Sequence, residues 1–185
     1  MQFTYIPRKS KAIYNYKIAH RGYHMFFPEN TIAAYVEAIN RNYAIELDVR
    51  ITIDNYIICI HDRHSKRLLG VSGKVSSKTL DEIRKYNVIN SNQKVPLLEE
   101  VLYLVNGRVP ILIEVKGLLT DIYELKLYSI ISRYDGEIYF HAKNIITYYR
   151  LRRIWKDKVF WVLNPFRRRF DFMKRYFPTT SIDNN

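Results

Sequence analysis

Two short apolar stretches carry charge at alternate positions, and this pattern limits the fold more than any other feature. In Ala44 to Ile53, Glu46 and Asp48 alternate with Ile45, Leu47 and Val49. In the stretch from Val109, Glu114 and Lys116 alternate with Ile113 and Val115. Successive strand residues point to opposite faces, so each stretch has one apolar face and one that gathers charge. The apolar faces need covering helices. The charged faces are costly to enclose unless their groups are paired or bind a metal.

The rest of the chain supplies helices between strands. Lys17-Ile18-Ala19 reads as a short strand ending at His20-Arg21-Gly22. A helix follows from about Thr31 to Arg41, with Ile32, Val36 and Ile39 on one face and Asn30 or Thr31 as N-cap. Tyr56 to Ile60 is a second β-rich run after Asp54-Asn55. A two-residue hairpin loop there pairs Ile53 with Tyr56, Ile51 with Ile58 and Val49 with Ile60, and sets Asp48 opposite His61. Ser65 to Ser77 is a polar excursion, and the capping-box spacing from Thr79 to Glu82 opens a short helix to about Tyr86. Helices are expected at Leu97 to Val105 (stopped by Asn106-Gly107), Asp121 to Arg133 and Ile145 to Trp155. Strands are expected at Val109 to Val115, Glu137 to His141 and Val159 to Leu163. A last helix carries Phe166, Phe170, Met173 and Phe177, and Thr179 to Asp183 reads as a final strand.

Alternating strands and helices imply a parallel sheet with covering helices, as a barrel or an open doubly wound sheet. Polar residues collect at strand C-terminal ends, where (β/α) barrels build their sites. The fold expected is therefore α/β, a TIM-barrel-like domain over residues 1–185, with a small insertion after the second strand at about 62–95. Such barrels take about 250 residues, and this chain has 185. The barrel is expected to be reduced, open on one side, or completed by a second copy in a homo-oligomer.

Glu46, Asp48 and Glu114, with no cysteine nearby, make an oxygen-rich group suited to Mg²⁺ or Ca²⁺ rather than zinc. The plainer account is that these carboxylates pair with Lys116 and Arg21. His20 and His61 each follow a strand, and imidazole titrates near neutral pH, so two converging on carboxylates can serve as acid and base. Arg21 offers a planar fork suited to phosphate. The chain holds 30 Lys and Arg against 18 Asp and Glu, a formal +12. That excess attracts anions, whether small phosphates, anionic lipid surfaces or nucleic acid. No nucleic-acid motif accompanies the charge, so no nucleic-acid partner is expected. Cys59 is the single cysteine and reads as core; no signal-peptide core or membrane span appears. A cytoplasmic location is expected.

In order and spacing, His20-Arg21-Gly22, Pro28-Glu29-Asn30-Thr31, Glu46-Leu47-Asp48-Val49, His61-Asp62 and Glu114-Val115-Lys116 resemble the signature of the glycerophosphodiester phosphodiesterase family. Val95 to Leu102 is similar to the family's segment before its Glu-x-Lys strand. The resemblance implies a (β/α) barrel with an insertion after the second strand. It implies Glu46, Asp48 and Glu114 as ligands of a divalent metal ion, Mg²⁺ or Ca²⁺, and His20 and His61 as the acid–base pair. Arg21 and Lys116 are then the phosphate contacts, and Glu29 organises the site near His20. The implied reaction is metal-dependent hydrolysis of a glycerophosphodiester or lysophospholipid to an alcohol and a glycerol phosphate. The attacking oxygen is water or a neighbouring substrate hydroxyl, which would give a cyclic phosphate first. The alternative is a catalytically inactive barrel that binds anionic lipid or phosphate.

After Lys116 the resemblance fades. Where the family has a Ser-Phe pair, Phe140-His141-Ala142-Lys143 stands here, and His141 or Lys143 either touches an anionic substrate or lies at the surface. His24, in the loop after the first strand, either supports the site from behind or is exposed and idle, and His64 reads as solvated. Tyr23, Met25, Phe26 and Phe27 form an apolar loop, either packed on the insertion or turned to lipid. Arg150, Arg152, Arg153 and the run Arg167 to Arg169 are compatible with peripheral contact to an anionic membrane, or with the charged outer face of barrel helices.

Overall fold

A computed structural model describes Ile13 and residues 15–161. The helix expected from Phe166 to Phe177, the strand at Thr179 to Asp183 and the basic run Arg167 to Arg169 lie outside the described residues. The strands are β1 (Ile18–Ala19), β2 (Ala44–Ile51), β3 (Ile57–Cys59), β4 (Ile111–Val115), β5 (Ile138–Ala142) and β6 (Val159–Trp161). They form one sheet in the order β1-β2-β4-β5-β6, every neighbouring pair parallel, with β3 antiparallel to β2. β2 is central. β1 pairs with its start at Ala44 and Ile45, β3 with its end at Val49 to Ile51, and β4 takes the opposite edge.

The helices are α1 (Ile32–Asn40), α2 (Lys66–Leu69), α3 (Leu80–Arg84), α4 (Leu98–Val105), α5 (Asp121–Ile131) and α6 (Ile145–Trp155). Their ends follow local chemistry. Thr31, Thr120 and Asn144 cap α1, α5 and α6 by accepting from backbone N–H groups of the first turn. Thr79 and Glu82 make the reciprocal capping box of α3. Asn106 ends α4 in the left-handed region, at φ 45°. None of the described helices is long and apolar enough to cross a membrane.

One face of the sheet is a dry layer. Ile45, Leu47, Val49, Ile111, Ile113, Val115 and Phe140 pack there with Tyr35, Leu98, Val101, Tyr123, Leu127 and Leu151 from the helices. Each fully buried side chain of this size contributes about 1.5–3 kcal/mol. The opposite face has two tiers. At its lower end Ala44 and Tyr139 pack with Ile18, Leu112 and Phe160; above them lie the charges. The insertion has its own core of Ile58, Ile60, Leu68, Leu69, Val75, Ile83, Val88 and Val95.

The hairpin register differs from the one expected. Val49 pairs with Cys59, Arg50 with Ile58 and Ile51 with Ile57, so Asp48 lies across from Ile60 rather than His61. The loop has three residues, Ile53-Asp54-Asn55, closed by Thr52 N–H on Tyr56 O. Asn55 N–H donates to Thr52 O, and Asn55 sits at φ 65°, the left-handed residue that follows a tight turn in three-residue loops. A one-residue change exchanges faces. Cys59 therefore joins the sheet core, while Ile58 and Ile60 turn toward the insertion.

Candidate active site

The parallel register builds the site row by row. Asp48 on β2 pairs with Glu114 on β4, and Glu114 with His141 on β5. Glu46 stands two residues below Asp48, alongside Leu112. All four side chains are buried. Among the described residues the group able to hold a metal ion is Glu46, Glu114 and His141, each with a donor atom within 4.8 Å of the others. His141 Nε2 lies 3.4 Å from Glu46 Oε1 and 3.6 Å from Glu114 Oε2.

Asp48 is committed to the protein's own cations. Lys116 Nζ lies 2.9 Å from Asp48 Oδ1 and 2.6 Å from Glu114 Oε1, and Arg21 Nε lies 3.3 Å from Asp48 Oδ2. Asn30 donates from Nδ2 to Asp48 Oδ2 at 3.0 Å, accepts Asp48 N–H, and accepts the Tyr35 hydroxyl. Burial pushes the Asp48 carboxyl up, but Lys116 and Arg21 outweigh it and hold the group at about 2. The same balance acts on Glu114, which burial raises and His141 and Lys116 pull below its ordinary value. Burial lowers the Lys116 ammonium, and Asp48 and Glu114 return it above the usual lysine value. Lys143 lies 3.2 Å from Glu114 Oε1 at the exposed rim. The pairing of acids with Arg21 and Lys116, weighed above as the plainer account, holds for both oxygens of Asp48 and for Glu114 through Oε1, while Glu114 Oε2 faces His141. Glu46 makes no ion pair with lysine or arginine among the described residues.

The loop after β1 is bent by sterics. Gly22 has φ +77°, and a Cβ there would lie 2.8 Å from Ala34 Cβ and 2.9 Å from the Ala34 carbonyl carbon, so no side chain fits. Gly22 N–H donates to Glu46 O, and Arg21 N–H donates to Glu46 Oε2 at 2.9 Å. His20 is thereby held over the acids. Burial lowers its pKa against the pull of Glu46 and Asp48. His24 Nδ1 is 2.6 Å from His20 O, and a carbonyl only accepts, so that nitrogen carries the proton. His24 is thus tied into the loop rather than free in solvent.

His61 leaves the sheet beside the insertion. Arg50 grips its carbonyl with two bonds of 2.9 and 2.8 Å, and its Nδ1 lies 2.8 Å from Asp62 Oδ1. Arg67 donates to both Asp62 oxygens, and through this contact Asp62 titrates at about 2. Asp62 is then an ionised acceptor, so Nδ1 of His61 donates to it. Arg67 also forks onto Glu29 at 2.9 and 2.7 Å, and Glu29 accepts from Arg21 at 3.1 Å. Glu29 therefore joins the His20 loop to the insertion. A cavity of about 680 Å³ opens beside His61, lined by Arg50, Arg63, His64, Lys66 and Arg67 among others.

His141 is the residue whose place the sequence reading left open; it is neither at the surface nor at the rim but inside the acid cluster. The alternation of Tyr139 and His141 about Phe140 carries the signal, since it matches Glu114 about Ile113 and Val115. Of the apolar loop, Tyr23 is buried against Tyr43, whereas Met25 is 55% and Phe26 72% exposed. Those two do not pack on the insertion.

A parallel sheet with its charges gathered at the C-terminal ends of β2, β4 and β5 defines the (β/α)-barrel class of scaffold. Residues 20–158 match the model of the glycerophosphoryl diester phosphodiesterase family, and the chain belongs to that family. A glycerophosphodiester phosphodiesterase of Caldanaerobacter subterraneus is 35% identical over 130 residues, 65% of this chain and 54% of that protein. One of Bacillus altitudinis is 36% identical over 105 residues, 53% of this chain and 43% of that protein. The chain thus spans about half the length of these relatives, and 59% of a Bacillus subtilis relative 34% identical over 146 residues. The crystal structure of a glycerophosphodiester phosphodiesterase from Agrobacterium tumefaciens superposes with TM-score 0.68 at 26% identity, covering 74% of this chain and 62% of that one. That of an Oleispira antarctica phosphodiesterase, in complex with the product sn-glycerol-3-phosphate, superposes with TM-score 0.75 at 17% identity. It covers 89% of this chain and 74% of its own.

Proposed function

We propose that the chain hydrolyses glycerophosphodiesters, lysophospholipids included, with a divalent cation at the acid cluster and His20 and His61 moving the protons. The observation that carries this reading is the meeting of Glu46 and Glu114 with His141 in a buried group able to hold a metal, within a family of this activity. The residues present fit a divalent ion, since donors of Glu46, Glu114 and His141 converge from three strands and Glu46 forms no ion pair with lysine or arginine among the described residues. A cation bound there would neutralise charge on the phosphoryl oxygens and so make the phosphorus a better target for attack. Glu46 and Glu114 would hold it. Asp48, the third carboxylate of the expected set, would join only by giving up its contact with Lys116.

In the proposed reaction His20, kept neutral by burial, takes the proton of the attacking oxygen. His61, oriented by the Asp62 carboxylate on Nδ1, delivers a proton to the leaving alcohol. Arg21 and Lys116 present a fork and an ammonium to the phosphate. The attacker is water, or a neighbouring substrate hydroxyl that closes a cyclic phosphate first. Exposed Met25 and Phe26 beside His20, with the formal +12, support contact with an anionic lipid surface as the route to lysophospholipid.

The test is a coupled assay of glycerol 3-phosphate release from glycerophosphocholine with Mg²⁺, Ca²⁺, Mn²⁺ or EDTA. Turnover that EDTA abolishes and a divalent ion restores is the expected result. Phosphate or lipid binding without turnover under any ion would favour the inactive binding module instead.

A further inference from the structure

The carboxylates of this cluster are not equivalent, and the difference bears on the kind of ion it takes. Both oxygens of Asp48 are taken, by Lys116 and by Arg21 with Asn30, whereas Glu114 meets Lys116 through Oε1 only and turns Oε2 toward His141. The donor that does converge with Glu46 and Glu114 is a nitrogen, Nε2 of His141. We propose that His141 is a direct nitrogen ligand of the ion at Glu46 and Glu114, making this a centre for a first-row transition ion from Mn²⁺ to Zn²⁺ rather than for Mg²⁺ or Ca²⁺. The inference rests on the metal-dependent reading above and specifies its cofactor.

Three observations support it. His141 occupies the same register row as Glu114, on the next strand, so backbone pairing fixes its approach to the acids. Its side chain is only 7% exposed, and Nε2 sits nearly midway between the two carboxylates, 3.4 and 3.6 Å away. Those separations are long for charge-assisted hydrogen bonds, which close to about 2.7–2.9 Å, and suit two ligands of a common ion better than a paired donor and acceptor. Nδ1 is buried without a hydrogen-bond partner among the described residues. A histidine placed only to satisfy a core would avoid that cost.

The chemistry of the donor set then selects the ion. Mg²⁺ and Ca²⁺ take oxygen ligands, whereas imidazole suits first-row transition ions, whose affinity rises from Mn²⁺ to Cu²⁺ and remains high at Zn²⁺. Two carboxylates and one imidazole form a mixed oxygen and nitrogen site. Binding requires a neutral imidazole with its lone pair on Nε2, so in the bound form the ring's one proton resides on Nδ1.

The experiment loads the folded chain, freed of metal by chelation, with Mn²⁺. Electron spin-echo spectroscopy then reads nitrogen coupling to the ion, and titration compares Mn²⁺, Zn²⁺ and Mg²⁺ on wild type and His141→Gln. Wild type should show nitrogen coupling that His141→Gln lacks. The variant should lose Mn²⁺ and Zn²⁺ affinity by at least the roughly 10–100-fold that removing a ligand's supporting partner costs, with Mg²⁺ changed less. His141→Asn serves in place of a glutamine variant that fails to fold. Coupling that persists in the variant, or an unchanged preference among ions, would overturn the assignment to His141 while leaving a metal site in place. A folded wild type that binds none of the three ions would remove the metal-dependent reading as well.

Discussion

His20 and His61 close two strands, β1 and β3, that lie along the same edge of β2, yet the chain surrounds them differently. His20 is enclosed by a loop that Gly22 seats against α1, and burial lowers its pKa. His61 is 31% exposed at the edge of a basic cavity, with an ionised carboxylate on its inner nitrogen. Seclusion favours a neutral ring in His20, whereas the Asp62 carboxylate fixes the orientation of the His61 ring. One edge of a sheet thus holds two copies of the same side chain in opposed surroundings.

The strongest way to break the comparison is to remove each ring. His20→Ala and His61→Ala should each lower kcat by about 10²–10⁴-fold, with circular dichroism unchanged. Activity near wild type in either variant would end the pairing. A smaller effect is expected on one side only. Arg67→Ala or Asp62→Asn frees the His61 ring without touching Gly22, and should cost on the order of 10²-fold in kcat while the pKa of His20, followed by NMR, stays where it was.

On the other side, Gly22→Ala forces a Cβ into Ala34 at positive φ. Overpacking of this kind destabilises by about 1–3 kcal/mol, measurable as a lower denaturant midpoint. The His61–Asp62 contact should survive it. The smallest effects are those of pH. His20 has a folded pKa below its ordinary value of about 6.5, so as a base it stays neutral to lower pH. The acid limb of kcat/KM should therefore fall below that value. Asp62 titrates at about 2 against an ordinary 3.8, so its contribution to stability is complete above the higher value and is lost as pH falls toward the lower. Arg67→Ala should flatten that part of a melting-temperature profile.

How much of this was legible in the sequence depends on the range of the physics involved. Strand alternation is local, and it placed Glu46 with Asp48 and Glu114 with Lys116 on one face, as the register shows. Helix caps are local too, and Thr79 with Glu82 forms the expected box. The hairpin failed by one residue because Asp54-Asn55 has the composition of a two-residue turn. The loop is set instead by Thr52, whose hydroxyl accepts the Tyr56 N–H at 2.9 Å, and by Asn55 in the left-handed region. Arg67 left no local trace. Its partners Glu29 and Asp62 lie 38 and 5 residues away, and only the packed insertion brings both within reach. His141 stood within reach of the alternation rule, but a strand with one ionisable residue at its end gives a weaker pattern than one with two.

The central claim is that this part of the family scaffold holds a working metal-dependent site between these two histidines. Its most direct test is ³¹P NMR of glycerophosphocholine incubated with the folded, Mn²⁺-loaded chain, with His61→Ala run in parallel. The account predicts that wild type replaces the diester resonance with that of glycerol 3-phosphate, directly or through a cyclic phosphate, while the variant leaves it standing. An unchanged diester with metal-loaded wild type, or equal conversion by the variant, would contradict it.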